Sequence, residues 1–209
     1  MPSLGTELFI VKVINLERPV ISDLMDGVRI PKNAKRVFHG MRVNVYHARI
    51  KLLNGTYKTF EMTQRPDSVV VIPVFGKKIM AINEWYPISR RWVRCLPAGA
   101  VDEGERPKEA ARRELQEETG LFSNDIELLF HAGTSKSMQG EDYVFIAKNC
   151  VMKEKINHDP AEEIKPFPVN FDRFIKLARM SLNGNAGKSF YELTNTPAKQ
   201  KSLRKKLFS

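Results

Sequence analysis

Residues Gly99–Leu121 read GAVDEGERPKEAARRELQEETGL. The part from Pro107 to Thr119 predicts a helix, with Pro107 near its first position and Gly120 just past its end. At about 100° per residue, Glu114 and Glu118 fall on the face shared by Ala110 and Ala111, and Glu117 flanks them. Lys108, Glu109, Arg112 and Gln116 occupy the rest of the surface. The small alanines set this face close against other backbone, so the acids point at the fold and not into bulk water. Local stability argues against such a helix. Like charges at i, i+3 and i+4 repel by about 0.2–0.5 kcal/mol per pair, and anions near a helix C-terminus cost roughly 0.3–1 kcal/mol each. A divalent cation reverses the sign, because Mg²⁺ takes oxygen ligands and bridges carboxylates to substrate phosphates.

Just ahead of the helix, Leu96-Pro97-Ala98-Gly99-Ala100 forms a turn. With no side chain on Gly99, a backbone carbonyl can approach closely, and Ala98 is the candidate to supply one. Arg113, between Arg112 and Glu114, is placed to hold a carboxylate bidentately.

The spacing of Gly99, Glu105, Arg113, Glu114, Leu115, Glu117, Glu118, Gly120 and Leu121 resembles the Nudix box: Gly, five residues, Glu, seven residues, then Arg-Glu-apolar-x-Glu-Glu-x-Gly-apolar. The resemblance implies an α+β Nudix fold, an α/β/α sandwich with a mixed sheet, in which the box forms loop, helix and loop over a metal site. Within that superfamily the chain looks like the ADP-ribose pyrophosphatase branch. Leu-Pro-Ala-Gly leads into the box, a strand-rich region of about 60 residues precedes it, and the likeness covers residues 37–185. The resemblance makes the Ala98 carbonyl, Glu114 and Glu118 ligands of Mg²⁺, or of Mn²⁺, with Glu117 beside them as ligand and catalytic acid. Glu105 and Arg113 support the helix. A further acid is expected beyond the box, either Glu141, on a loop, or Glu162; either serves as metal ligand or general base.

Three departures from the branch bear on substrate. Glu84-Trp85-Tyr86 stands where an arginine is usual, with Arg90 and Arg91 as substitutes for it. Cys95 stands where a glutamate is usual, and Lys136-Ser137-Met138 replaces a proline associated with ADP-ribose. Trp85, Tyr86 and Trp92, just before the metal loop, are candidates for base recognition. The substrate implied is a nucleoside diphosphate derivative, ADP-ribose first, cut to AMP and ribose 5-phosphate. RNA 5′ ends or caps, or non-catalytic nucleotide sensing, are the competing classes. A homodimer is implied as well, with the leading region reaching the partner's pocket.

Outward from the box, the first 65 residues alternate short β-rich runs with turns: Leu8 to Leu16, Val43 to Leu53, and Tyr57 to Met62 after an Asn54-Gly55 hairpin turn. Residues 1–65 are read as a strand-rich N-terminal region that dimerises, and 66–209 as the Nudix domain with a basic tail. Val69 to Phe75 and Ile79 to Trp85 form a buried hairpin around Gly76-Lys77-Lys78, and Tyr143 to Ala147 is a further strand. Phe171, Phe174, Ile175, Ala178 and Leu182 stripe a second helix capped by Asn170, and a last helix starts at Thr196-Pro197. The absence of regular βαβ alternation excludes a doubly wound sheet. No GxGxxG or GxxxxGK[ST] follows a strand.

Composition agrees with one folded chain. Of 209 residues, 42% are hydrophobic and 28% charged, enough for a full core without a staple. Two cysteines, Cys95 and Cys150, far apart, indicate neither a disulfide framework nor a zinc site and fit a reduced, cytoplasmic setting. Leu8 to Val11 is too short an apolar run for a signal peptide or membrane span. His39, His47, His131 and His158 share no metal-ligand spacing. The net charge of +10 attracts polyanions. Half of that excess lies after Asn183, where Lys188, Lys199, Lys201, Arg204, Lys205 and Lys206 face Glu192 alone. This basic tail is what a nucleic-acid reading would use, although a solvated basic helix is the plainer account.

Overall fold

The computed structural model describes residues 28–133, 136–153 and 163–209. The expected strand Leu8 to Leu16 and the candidate acid Glu162 lie outside these residues.

The leading hairpin forms as the turn residues require. Strands β1 (Lys35–His39), β2 (Asn44–Lys51) and β3 (Tyr57–Gln64) pair antiparallel in chain order. Between β2 and β3 the Asn54 side chain accepts from the Thr56 N–H at 3.1 Å, and Gly55 takes φ +84°, a conformation that costs only glycine nothing.

The main sheet has seven strands: β4 (Ser68–Phe75), β5 (Lys78–Tyr86), β6 (Arg91–Cys95), β7 (Ala98–Ala100), β9 (Asp125–Gly133), β11 (Glu141–Lys148) and β13 (Ile164–Val169). The order is β13-β5-β4-β11-β9, with β6 paired to β5 and β7 to the start of β4. β4 and β11 run parallel and the other pairs antiparallel, so the sheet is mixed. Two short pairings close the layout. β8 (Leu121–Phe122) pairs with β12 (Val151–Met152), and β10 (Met138–Gln139) adds to β3, tying the small sheet to the main domain.

Four helices cover the sheet: α1 (Pro107–Thr119), α2 (Phe171–Ser181), α3 (Gly184–Thr194) and α4 (Pro197–Phe208). Alternation along β4 divides the core. Val69 and Val71 pack with Ala110, Ala111 and Leu115 of α1, whereas Ile72 and Val74 pack with Phe174, Phe190 and Leu207 of the other helices. The architecture is therefore the expected α/β/α sandwich with a mixed sheet. α1 has the bounds read from the sequence, and Asn170 caps α2 by accepting from the Arg173 N–H at 2.9 Å.

The C-terminal basic segment is helix α4, with its lysines and arginine exposed and two leucines turned inward. Leu203 and Leu207 of α4 are buried in the core, Lys206 lies 3.8 Å from Glu127, and Lys199 lies 3.6 Å from Glu192. Among the described residues, no helix is long and apolar enough to cross a membrane.

Candidate active site

The site is built where α1 lies across the sheet. Its buried face presents Ala110, Ala111, Glu114, Leu115, Glu118 and Thr119. Two carboxylates in that set are unusual, since Glu114 is only 8% and Glu118 only 6% exposed. Both meet the short strand β7. The Ala98 N–H donates to Glu118 Oε2 at 2.9 Å. Gly99 faces Glu114 so closely that a Cβ there would stand 1.8 Å from Glu114 Oε1. The absence of a side chain at Gly99 thus makes room for the Glu114 carboxylate.

Arg113 ties loop and helix together. Its Nε and Nη2 donate to Glu105 Oε1 and Oε2 at 3.1 and 3.0 Å, the bidentate geometry expected for it. Nη1 donates to Glu114 Oε1 at 2.6 Å and to Glu117 Oε2 at 3.2 Å, and Nη2 to the Ala100 carbonyl at 2.9 Å. The hydrogen bonds from Arg113 hold the Glu105 carboxyl below the usual carboxylate range, and the same bonds push Arg113 upward. Glu117 lies on the outer side of this network, half exposed. The helix ends on Gly120 at φ +68°, whose N–H donates to the Gln116 carbonyl at 2.8 Å.

A model of the NUDIX domain matches residues 64–188. The chain belongs to the Nudix family. It is 31% identical over 147 residues to the ADP-ribose pyrophosphatase of Bacillus subtilis, covering 68% of this chain and 79% of that one. It is 31% identical over 123 residues to the methanol dehydrogenase activator of Bacillus methanolicus, covering 57% and 66%. A crystal structure of an ADP compounds hydrolase superposes with a TM-score of 0.61 at 18% identity, covering 88% and 95%, which supports the fold. As a Nudix pyrophosphohydrolase, the chain splits the pyrophosphate link of a nucleoside diphosphate derivative.

Nudix hydrolases work with a divalent cation. The donor set here suits a hard one: two buried carboxylates against backbone, with no thiolate or imidazole between them. Among the described residues, no three His, Cys, Asp or Glu side chains converge tightly enough to form a ready-made metal cage. Glu114 and Glu118 come together against β7, while Glu117 is turned toward Arg113.

Of the other expected residues, Glu141 is the first residue of β11 and not part of a loop. Its N–H donates to Asp67 Oδ1 at 2.8 Å, and its Oε2 lies 3.5 Å from His131 Nδ1. Register puts Ala100, Ser68 and Asp142 side by side on β7, β4 and β11. Glu141 is therefore about two strand spacings, roughly 10 Å, from β7. Alternation with Tyr143 and Phe145 sets it on the face that α1 covers.

The hairpin β5–β6 separates the aromatic candidates. Tyr86 pairs with Arg91 and Trp85 with Trp92, so they occupy opposite faces. Tyr86 shares its face with Glu84 and Cys95, whereas the two indoles contact each other at 5.8 Å on the other. Arg90, at φ +49°, and Arg91 are exposed at the hairpin turn. Sequence reading missed two groups. Glu84 reaches from β5 to within 3.8 Å of the Cys95 Sγ, bringing a carboxylate beside that thiol. His131, stacked on Tyr143 at 5.7 Å, approaches Glu141. Burial, then the Glu84 charge, pushes the Cys95 thiol and the Tyr86 phenol each up to about 12. The signal for Glu84 was its i, i+2 spacing with Ile82 and Tyr86. Nothing local marked His131, because its partner is across a strand pair.

Proposed function

We propose that this Nudix hydrolase is a magnesium-dependent ADP-ribose pyrophosphatase that yields AMP and ribose 5-phosphate, with Mn²⁺ able to replace Mg²⁺. The observation that carries the reading is the pair of buried carboxylates, Glu114 and Glu118, held against Ala98 and Gly99 with Arg113 bridging Glu114, Glu117 and Glu105. The name of the Bacillus subtilis relative supports the substrate.

Glu114, Glu118 and the Ala98 carbonyl would hold the cation, with Glu117 joining at the rim. When bound, the cation neutralises charge on the diphosphate and on the departing phosphate. The chain's own residues do the rest. Arg113 fixes the direction of the Glu114 carboxylate, and Gly99 leaves room for it. Water attacks one phosphorus in line and the second phosphate leaves with the bridging oxygen. The proton of that water passes to a carboxylate, Glu141 Oε2 or Glu162, acting as general base. His131 Nδ1, 3.5 Å from Glu141 Oε2, positions that carboxylate. Tyr86, Arg90 and Arg91 border the substrate from the β5–β6 hairpin, with Trp85 behind them on the other sheet face.

The chain acts as a homodimer in this reading, with residues 1–65 as the dimerising region and 66–209 as the catalytic domain. Val37, Phe38, Tyr57 and Phe60 of the small sheet are exposed apolar residues of the kind an interface covers. Its setting is reducing and cytoplasmic, in keeping with two free cysteines. The test is AMP release from ADP-ribose by the protein in Mg²⁺ or Mn²⁺ against EDTA. Cation-dependent release supports the reading, and none in either cation removes it.

A further inference from the structure

The sheet face away from α1 carries a second group of charged and aromatic side chains. Lys165 on β13, Asn83 on β5 and Arg94 on β6 stand in register across three adjacent strands. Arg173, in the first turn of α2, closes over them. Together with Pro166 and Phe167 they line an open cavity of about 260 Å³. Two guanidinium groups, of Arg94 and Arg173, each lie 5.9 Å from the centroid of the Phe167 ring. Lys165 Nζ sits 4.2 Å from the centroid of Trp92, which in turn packs on Trp85.

This cavity is poor in compensating acid. Glu163 pairs with Lys165 at 2.8 Å, both of them well exposed. Among the described residues, neither Arg94 nor Arg173 has a carboxylate within ion-pair distance. Three cations converging on one exposed cavity repel one another, and the repulsion is relieved by an anion with several acceptor oxygens. Arginine forks match phosphate geometry, and indole faces stack on bases while adding cation–π attraction. None of these groups lies on the face that carries Glu114 and Glu118.

We propose that Arg94, Lys165 and Arg173 form an accessory site that binds the phosphate of a nucleotide, with the base packed against Trp92 and Trp85, apart from the hydrolytic centre. The nucleotide is either free or part of a single strand. The only two tryptophans of the chain are both at this site, so intrinsic fluorescence reads it directly.

The experiment titrates the full chain in EDTA with ADP and with a single-stranded oligoadenylate, following tryptophan emission. A saturable change is expected. It weakens at least about tenfold in Arg94→Glu/Arg173→Glu, and in the milder Arg94→Gln/Arg173→Gln, and stays within about twofold in Glu118→Gln. Tighter, strongly salt-dependent binding of the oligomer assigns the site to a strand, and equal affinities assign it to free nucleotide. No response to either probe overturns the proposal. A response that survives both arginine pairs, or is lost in Glu118→Gln, overturns it as well.

Discussion

Replacing Gly99 by alanine separates catalysis from stability. The new methyl would stand 1.8 Å from Glu114 Oε1, 2.2 Å from Cδ and 2.7 Å from Oε2. Comfortable contact needs about 3.5 Å, so the carboxylate must retreat by roughly 1.7 Å. It is the free end of a side chain and can swing, at the expense of its 2.6 Å bond from Arg113 Nη1. Losing that bond costs about 1–2 kcal/mol. At roughly 2–4 °C per kcal/mol for a chain of this size, Tm falls by about 2–8 °C. Catalysis suffers more, because displacement of a positioning group by about 1 Å removes some 100-fold in rate. We therefore expect kcat/KM for ADP-ribose at saturating Mg²⁺ to fall by at least about 100-fold in Gly99→Ala while the protein stays folded. The assay pairs initial rates of AMP release with a thermal melt. A variant whose kcat/KM remains within about threefold of wild type would refute the claim that the Glu114 carboxylate must occupy this place.

Three further outcomes follow from the same geometry. Glu105 has a folded-state pKa below its unfolded value, so its stabilisation is present above the ordinary glutamate pKa and lost as pH falls through the lowered one. The Tm gap between wild type and Glu105→Gln should accordingly be open at pH 7 and close in acid; a gap that widens in acid contradicts this. Cys95, pushed up to about 12, stays a thiol at pH 8 and should resist iodoacetamide in the folded protein, whereas rapid alkylation would place it in a different environment. Leu207→Ala should destabilise the chain by about 2–5 kcal/mol in urea unfolding, because α4 is a core helix; an unchanged midpoint would make it the solvated tail its charge suggested.

Much of this was legible before the structure, for identifiable reasons. α1 is marked at both ends by residues with backbone consequences, Pro107 and Gly120, and its acids repeat at helical spacing. The hairpins at Asn54-Gly55 and Gly76-Lys77 and the Asn170 cap were equally local signals. What escaped the sequence depends on distant partners. β13 carries Pro166 and Pro168, which argue against a strand until it is seen at the sheet edge, where unpaired N–H positions cost nothing. α3 opens with Gly184 and Gly187 and has weak intrinsic preference, yet Phe190 and Ala186 are buried against α2 and the sheet. β9 is broken by a bulge opposite Val144 and Phe145, which blurs its alternation. In the site, the box acids could be read because they lie on one helix. The contacts Glu84–Cys95 and His131–Glu141 could not, since each spans two strands whose register no local pattern fixes. The opposed faces of Tyr86 and Trp85 were implicit in their adjacency, once both are known to lie on one strand.

Glu118, anchored on the Ala98 backbone, is the group on which the proposed hydrolysis of ADP-ribose most depends. The direct measurement is the Mg²⁺-dependent rate of AMP formation from ADP-ribose by wild type and by Glu118→Gln, with both shown folded by their thermal melts. Glutamine keeps an acceptor for the Ala98 N–H, so the fold persists, and the rate should drop by at least about 1,000-fold, comparable to deleting a main charge-stabilising group. Hydrolysis that continues in Glu118→Gln at near wild-type rate would exclude Glu118 from the hydrolytic centre.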